Sequence, residues 1–298
     1  MNLHSGFVSI VGKPNVGKST LLNRLVGQKI AGVSPKPQTT RQTIRGILTS
    51  AERGQIVFLD TPGLHAPKDR LGERMMKFSK STYLDADIIF WMVFPALPNE
   101  EDIPILEDLK KTGKPILLLV NKIDGIQKVK LLPVLNEYQK LHPFQALFPI
   151  SAANGDNVRE LVNKTFELLP EGPPLFPADQ TSDQTERFIA SEMIREKIFQ
   201  LTGEEIPYAS AVEINDFKER SERLAVISAT IYVSKASQRK IVIGSKGQMI
   251  KKIGEAARRT IETFLQKKVF LELWVKVRED WKKDDQFLSR LESEGRNV

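Results

Sequence analysis

The run GKPNVGKST, residues 12–20, lies between FVSIV (residues 7–11) and LLNRLV (residues 21–26). The first flank reads as a buried strand, and the second puts Leu21, Leu22 and Leu25 on one helical face. Glycines and a lysine at such a handover make physical sense when the backbone must wrap an anion. Successive N–H groups then turn inward, and the helix adds its positive N-terminal end. The spacing of Gly12, Gly17, Lys18 and Ser19 fits a phosphate-binding loop, completed by Asn15, Val16 and Thr20. In such a loop Lys18 reaches the outer phosphates and the Ser19 hydroxyl ligates Mg²⁺. A glycine-rich turn with a surface lysine is the plain alternative, and the flanking strand and helix argue against it.

Four further stretches bear on the same site. DTPG, Asp60 to Gly63, ends the apolar strand IVFL. Asp60 there can hold Mg²⁺ through water, while the Gly63 N–H can touch a γ-phosphate and sense its presence. NKID, Asn121 to Asp124, follows PILLLV. Asp124 can accept from N1–H and the exocyclic amine of guanine together, a donor pair adenine lacks. Lys122 can cover the base with its aliphatic stem, and Asn121 can tie this loop to the phosphate loop. SAANG, Ser151 to Gly155, follows ALFPI and is expected to aim a backbone N–H near Ala152 at the guanine O6. Between the phosphate loop and DTPG, SPKPQTTRQ offers Thr39 and Thr40; Thr40 is expected to close over Mg²⁺ and the γ-phosphate, with Thr39 its rival. Lys18, Thr40 and Gly63 are the expected catalytic contacts. At Leu64, directly after DTPG, a Ras-like GTPase carries a water-orienting glutamine. Leucine cannot do that job, so the loop backbone, a partner or a monovalent cation must.

Composition sets the outer bounds. The chain has 298 residues, 27% of them charged and 41% hydrophobic, enough for about two domains with their own cores. It has no cysteine, which excludes disulfides, thiol chemistry and cysteine metal sites; three scattered histidines, His4, His65 and His142, exclude a histidine-built one. MNLHSGFVSIV lacks the pattern of a signal peptide, and the longest apolar run, Ile88 to Leu97, is too short to span a bilayer. A cytoplasmic protein is expected. PEGPPLFPADQTSDQTE, Pro170 to Glu186, has four prolines in its first eight residues and reads as a linker. The expected division is a nucleotide domain over 1–170, a linker over 171–186, a second domain over 187–285 and a tail over 286–298. Before the linker, FVSIV, IVFLD, DIIFWMVF, PILLLV and ALFPIS alternate with amphipathic stretches. Strands apolar on both faces and joined by helices predict an α/β domain with a mainly parallel sheet.

After the linker, Ala190, Ile194, Ile198 and Leu201 keep helical spacing. LAVISATIYV (224–233) has period two; Ile250 to Phe264 is helical again; and Val269 to Val277 alternates. The order helix, two strands, helices, strand makes a small α+β domain. Inside it, IVIGSKGQMI presents a GxxG turn, Gly244, Ser245, Lys246 and Gly247. Between Lys235 and Lys268 stand ten Lys or Arg against two Glu, a net +8 in a chain whose total is +7. The positive charge is therefore local. A GxxG turn brings backbone against a nucleic-acid backbone while an apolar groove takes about four unpaired bases, the KH mode. Ile243, Lys251, Lys252 and Arg258 are the further expected RNA contacts. Ile250 and Ile253 are readable either as groove or as core, and Trp274 and Trp281 as stacking platforms or core.

GKPNVGKST, KPQTTRQ, DTPGLH, NKID and SAANG resemble the signature elements of translation-factor-type GTPases, with wording similar to the Era family of bacterial ribosome-assembly GTPases; the element order of the second half is similar to that family's type II KH domain. The resemblance implies a Ras-like P-loop GTPase domain followed by a KH domain, using GTP, GDP and Mg²⁺. It also implies a switch that binds single-stranded RNA, the 3′ end of 16S rRNA, and assists assembly or maturation of the small (30S) ribosomal subunit. A monomer in the cytoplasm, with peripheral contact to the inner membrane, belongs to the same expectation. Related GTPases that share the loop asparagine use potassium, which points to Asn15 as a K⁺ ligand. Two other readings compete. A phosphate-loop kinase would have no use for NKID, whereas a signalling or membrane-associated GTPase would bind protein or lipid with its second half.

Overall fold

The computed structural model describes residues 2–37, 39–63, 69–203 and 205–293, apart from the side chains of Phe78 and Ser81. The chain divides into two compact units, Met1–Lys29 with Thr40–Pro67 and Gly72–Ser182, and Ile30–Thr39 with Lys68–Leu71 and Asp183–Val298.

In the first unit strands and helices follow one another: β1 (His4–Gly12), α1 (Lys18–Val26), β2 (Ile44–Ser50), β3 (Gly54–Asp60), α2 (Arg70–Asp85), β4 (Ile88–Val93), α3 (Asp102–Lys110), β5 (Ile116–Val120), α4 (Leu131–Leu141), β6 (Ala146–Pro149) and α5 (Val158–Leu168). The sheet order is β2-β3-β1-β4-β5-β6, parallel throughout except for β2 against β3. Every residue of β3, β4 and β5 is buried, as apolar runs covered by helices on both faces require. After β1 the connections run first to β3 on one side and then to β4 on the other, so the carboxyl end of β1 is a topological switch point, where open α/β sheets bind ligands. Gly12 pairs with Met92 and Ile10 with Asp60 there, so the phosphate loop and Asp60 leave the sheet side by side. The antiparallel edge strand β2 was not among the apolar runs. Its sequence IRGILTS mixes Arg, Gly, Thr and Ser with three aliphatics, as a strand with one covered face does.

The proline-rich segment is not a free linker over its first half. Buried Gln55 accepts the N–H groups of Leu175 and Phe176, both at 2.8 Å, and donates to the Phe176 carbonyl at 3.0 Å. The Thr181 carbonyl takes the Ile47 N–H, and Phe176 packs on Ile47, Val57 and Leu59.

The second unit contains α6 (Glu186–Leu201), a short α7 (Ile206–Ala209), β7 (Ser210–Ser221), β8 (Leu224–Val233), α8 (Ala236–Ile243), α9 (Gln248–Leu265), β9 (Lys268–Val277) and α10 (Asp285–Ser293). The sheet order is β7-β8-β9, with β9 parallel to β8 and at the edge. Ala225, Ile227, Ala229, Ile231 and Val233 form the buried face of β8, and Ile253, Ala257 and Ile261 the buried face of α9, which packs on α6 and β9. Ile253 is therefore a core residue, not a groove lining. Trp281 corrects a second expectation: it is 1% exposed, gives its indole N–H to the Ala209 carbonyl at 2.9 Å, and cannot stack a base. The stretch expected as a tail starts inside α10, whose Phe287 and Leu288 are buried with Ala211 and Trp281. Their spacing in QFLSRL supplies the apolar face that makes this stretch a helix. Within the same unit, Lys36 donates to the Phe199 and Thr202 carbonyls, and Arg195, paired with Glu192, donates to the Thr39 carbonyl.

Candidate functional site

At the switch point Gly17 has φ 108 and ends the loop as the N-cap of α1. A methyl group there would lie 2.3 Å from Asn121 Nδ2, so the position needs glycine for both conformation and space. Lys18 is buried and donates to the Gly12 and Lys13 carbonyls, both at 3.0 Å. Desolvation pulls its pKa from 10.5 down to about 8, and Asp60 opposes the drop. A polyphosphate beside it would restore the charge, which is what a phosphate-binding lysine requires.

The Ser19 hydroxyl donates to Asp60 Oδ2 at 2.6 Å and meets Thr40 Oγ1 at 2.8 Å; Thr40 Oγ1 is 3.4 Å from the same carboxylate oxygen. Three oxygen groups, from the start of α1, the loop at Thr40 and the end of β3, thus converge beside the lysine, a donor set suited to a hard cation. Thr39 turns away and donates to the Lys36 carbonyl at 2.8 Å, so the geometry separates the two adjacent threonines. Gly63 sits against the phosphate loop, where an added Cβ would lie 2.8 Å from the Pro14 nitrogen. Leu64 lies outside the described residues. Asn15 has φ 62, a left-handed conformation that asparagine tolerates better than most residues.

The two base loops interlock. Asn121 donates to the Val16 carbonyl at 2.7 Å and accepts the Ala152 N–H at 2.9 Å. That second bond gives the Ala152 N–H a partner in the protein and ties the two base loops together. Ser151 Oγ donates to Asp124 Oδ1 at 2.6 Å, which fixes the exposed carboxylate by one oxygen. Lys122, at φ 66, sets its ammonium 5.0 Å over the Phe94 ring. Sequence reasoning missed the brace behind the phosphate loop. Lys13 Nζ lies 2.9 Å from buried Asp102, which also accepts the Asn99 N–H and the Tyr138 hydroxyl. Nothing in a motif marks an ion pair between residues so far apart in the chain.

In the second unit Gly244 (φ 74) closes α8, and Lys246 (φ 49) and Gly247 (φ 77) turn the chain into α9. Ser245, Lys246, Lys251, Lys252 and Arg258 are exposed, Ile243 half-buried. A groove of about 350 Å³ runs between α9 and β9, lined by Ile250, Lys251, Gly254, Glu255, Arg258, Leu271 and Leu273.

A phosphate loop, a carboxylate at the end of β3, an Asn-Lys-x-Asp loop and a GxxG domain define a P-loop GTPase joined to a KH domain. Residues 7–122 match the family of 50S ribosome-binding GTPases, and residues 205–282 the KH domain family. GTPase Era of Ruminiclostridium cellulolyticum is 47% identical over 292 residues, covering 98% of both chains; that of Syntrophus aciditrophicus is 49% identical over 286 residues, covering 95% of this chain and 93% of its own. A crystal structure of an Aquifex aeolicus Era variant bound to GDP·AlF₄⁻ superposes with a TM-score of 0.93 at 42% identity, covering 97% of this chain and 98% of that one. Era in complex with MgGDPNP and nucleotides 1506–1542 of 16S ribosomal RNA gives 0.91, with the same identity and coverage. The chain belongs to the Era family of GTPases.

Proposed function

We propose that this GTPase holds the unpaired 3′ end of small-subunit rRNA in the groove between α9 and β9, and that its nucleotide cycle serves assembly of that subunit. One observation carries the reading. The GxxG turn leads into α9, whose Ile250, Lys251 and Arg258 line a groove with Leu271 and Leu273 of β9, in a chain whose other unit has the guanine-nucleotide loops. The RNA-bound relative supports it, since that Era is in complex with nucleotides 1506–1542 of 16S ribosomal RNA. The proposed division is a nucleotide domain over 1–170, a linker over 171–186 and an RNA domain from 187 onward.

In the nucleotide site, Lys18 and the loop amides hold the outer phosphates, Asp124 reads the guanine edge, and Ser19, Thr40 and Asp60 would hold Mg²⁺. When bound, Mg²⁺ supplies charge neutralisation on the phosphate oxygens. Thr40 and the Gly63 amide close on the γ-phosphate. Potassium at Asn15 completes the proposal, resting on an amide side chain inside the phosphate loop; equal turnover in potassium and in sodium would remove it. The protein works as a monomer in the cytoplasm, and the basic face of α9 provides peripheral attraction to an anionic inner membrane. No described helix is long and apolar enough to cross one.

The test is retention of single-stranded RNA by the full chain across a salt series. A 3′-terminal rRNA fragment should bind more tightly than a scrambled one, with affinity falling steeply as salt rises. Equal binding of the two fragments, or binding indifferent to salt, would overturn the reading.

A further inference from the structure

The chain reaches Gly63 with little freedom left. The Asp60 carboxylate accepts from Ser19 at 2.6 Å, and the Thr61 hydroxyl donates to the Ile10 carbonyl at 2.9 Å. The ring of Pro62 fixes its own φ. The plane of the peptide that joins Pro62 to Gly63 is then turned by two soft angles, Pro62 ψ and Gly63 φ. Its carbonyl accepts from the Ser79 hydroxyl of α2 at 3.0 Å. Pro62 is buried and Ser79 is 0% exposed, so water has no access to take over this bond.

The Pro62–Gly63 bond is trans, and in a trans peptide the C=O and N–H of one plane point in opposite directions. A carbonyl turned toward α2 therefore turns the Gly63 N–H away from it, while Gly63 itself lies on the phosphate loop, 2.8 Å from the Pro14 nitrogen at an added Cβ. The same Ser79 hydroxyl is 3.1 Å from the Met75 carbonyl, one turn back in α2. A serine that served only its own helix would need Met75 alone. This one has a second acceptor 17 residues earlier in the chain. A hydroxyl has one hydrogen to donate, so the two carbonyls share it. When the 62–63 plane turns, the O–H swings fully to Met75 and no buried donor is stranded. Alanine at this position would leave the Pro62 carbonyl buried without that partner.

We infer that Ser79 is a positioning residue for GTP: by holding the Pro62 carbonyl it aims the Gly63 N–H at the γ-phosphate, and by swinging its hydroxyl to Met75 it lets that N–H turn away once the γ-phosphate has left. The inference rests on the proposed contact between the Gly63 amide and the γ-phosphate and adds the side chain that orients it. GDP has no phosphate for that N–H to reach, so Ser79 acts on the triphosphate alone.

The experiment measures the affinity of the full chain for GDP and for the non-hydrolysable analogue GDPNP, both with Mg²⁺, and single-turnover hydrolysis of GTP, in wild type, Ser79→Ala and the conservative Ser79→Thr. Ser79→Ala should lower the ratio of GDPNP to GDP affinity about fivefold, the scale of one hydrogen bond, and slow hydrolysis by a similar factor. Its GDP affinity should stay as in wild type. Ser79→Thr keeps the hydroxyl and should keep the ratio. The Gly63 amide proton, followed by NMR, should move downfield from GDP to GDPNP in wild type and move less in Ser79→Ala. An unchanged ratio in Ser79→Ala overturns the inference. Equal weakening of GDP and GDPNP does so too, because Ser79 would then only pack α2. A loss in Ser79→Thr as large as in Ser79→Ala, at the wild-type melting temperature, also overturns it, since the hydroxyl would not be the cause. The amide contact is judged separately by the wild-type spectrum. If the Gly63 signal does not distinguish GDPNP from GDP, the contact and the role of Ser79 fall together; if it does and the ratio in Ser79→Ala is unchanged, the contact stands and only the role of Ser79 is removed.

Discussion

The chain has two glycine-flanked lysine loops aimed at phosphate, and they are built in opposite ways. Around Gly17–Lys18 the loop is enclosed: an added Cβ at Gly17 collides with Asn121, Lys18 is buried, and Asp102 braces Lys13 from behind. Around Gly247 a Cβ would meet nothing within 4 Å, and Lys246, Lys251 and Lys252 stand in solvent. A desolvated lysine acts at short range and with little screening, whereas exposed lysines act through a field that salt weakens. The enclosed loop thus suits a compact polyphosphate held in one geometry, and the open loop suits a polymer whose phosphates arrive one after another.

The largest effect should follow from removing the enclosed charge. Lys18→Ala is expected to lower GTP turnover about 10²- to 10³-fold, the scale of losing one preorganised charge-stabilising group. RNA binding should stay as in wild type. Steady-state phosphate release checks the first and anisotropy the second; a turnover loss below tenfold would mean that enclosure confers no advantage. Asp124→Asn, which replaces an acceptor with a donor opposite the guanine amine, should weaken GTP about 10²-fold and shift preference to xanthosine nucleotides, measured by competition against a fluorescent guanine nucleotide.

The open loop is tested by Ser245→Asp with Lys246→Asp, which keeps both glycines and hence the turn. RNA affinity should fall at least tenfold, and the slope of log affinity against log salt should flatten by about 0.7 for each RNA phosphate the protein no longer neutralises. Nucleotide affinity should not change.

These loops also divide what was legible from what was not. The phosphate loop, DTPG, NKID and GxxG could be read in sequence because each packs its chemistry into a few adjacent residues at a strand or helix end. Asn121 was correctly read as a tie to the phosphate loop, since its motif places it there; that Ala152 supplies the other end of that tie depends on the path of a second loop, which no spacing encodes. Gln55 pinning Leu175 and Phe176, and Asp102 bracing Lys13, are long-range bonds of buried polar groups. A lone Gln or Asp in a sequence does not announce its partner. Trp274 and Trp281, seven residues apart, read alike, and only the packing of α10 buries one and leaves the other bare.

Burial of Lys18 also predicts a pH dependence of definite sign. Its pKa in the folded chain, about 8, lies below the ordinary 10.5 of an unfolded lysine. Between those values the unfolded state binds more protons, so this group's contribution to stability rises with pH there, on the order of 3 kcal/mol across the window. Below pH 8 the full cost of the buried charge is present. Nucleotide phosphates restore the charge, so binding takes up a proton above pH 8 and affinity should fall by up to tenfold per pH unit. Titrations at pH 7, 8 and 9 check this against Lys18→Ala, which should lack the step.

The smallest effect should come from loosening the brace. Asp102 is buried, accepts the Asn99 N–H at 3.0 Å and the Tyr138 hydroxyl at 3.3 Å, and pairs with Lys13, whose own carbonyl accepts from Lys18. Asp102→Asn keeps the shape and one acceptor but removes the charge opposite Lys13, a loss of roughly 1–3 kcal/mol for a buried charged hydrogen bond. For a unit of this size that corresponds to a fall of several degrees in melting temperature. The loop keeps its glycines, its Asn121 tie and Lys18, so nucleotide affinity should fall only a few-fold. RNA binding should not respond, because the GxxG turn has no such brace to lose. Calorimetric unfolding and nucleotide titration of Asp102→Asn separate the possibilities. A large loss of affinity with little loss of stability would make Asp102 a positioning residue for the phosphate loop, and no loss of either would mean that the cradle holds its shape through its own backbone alone.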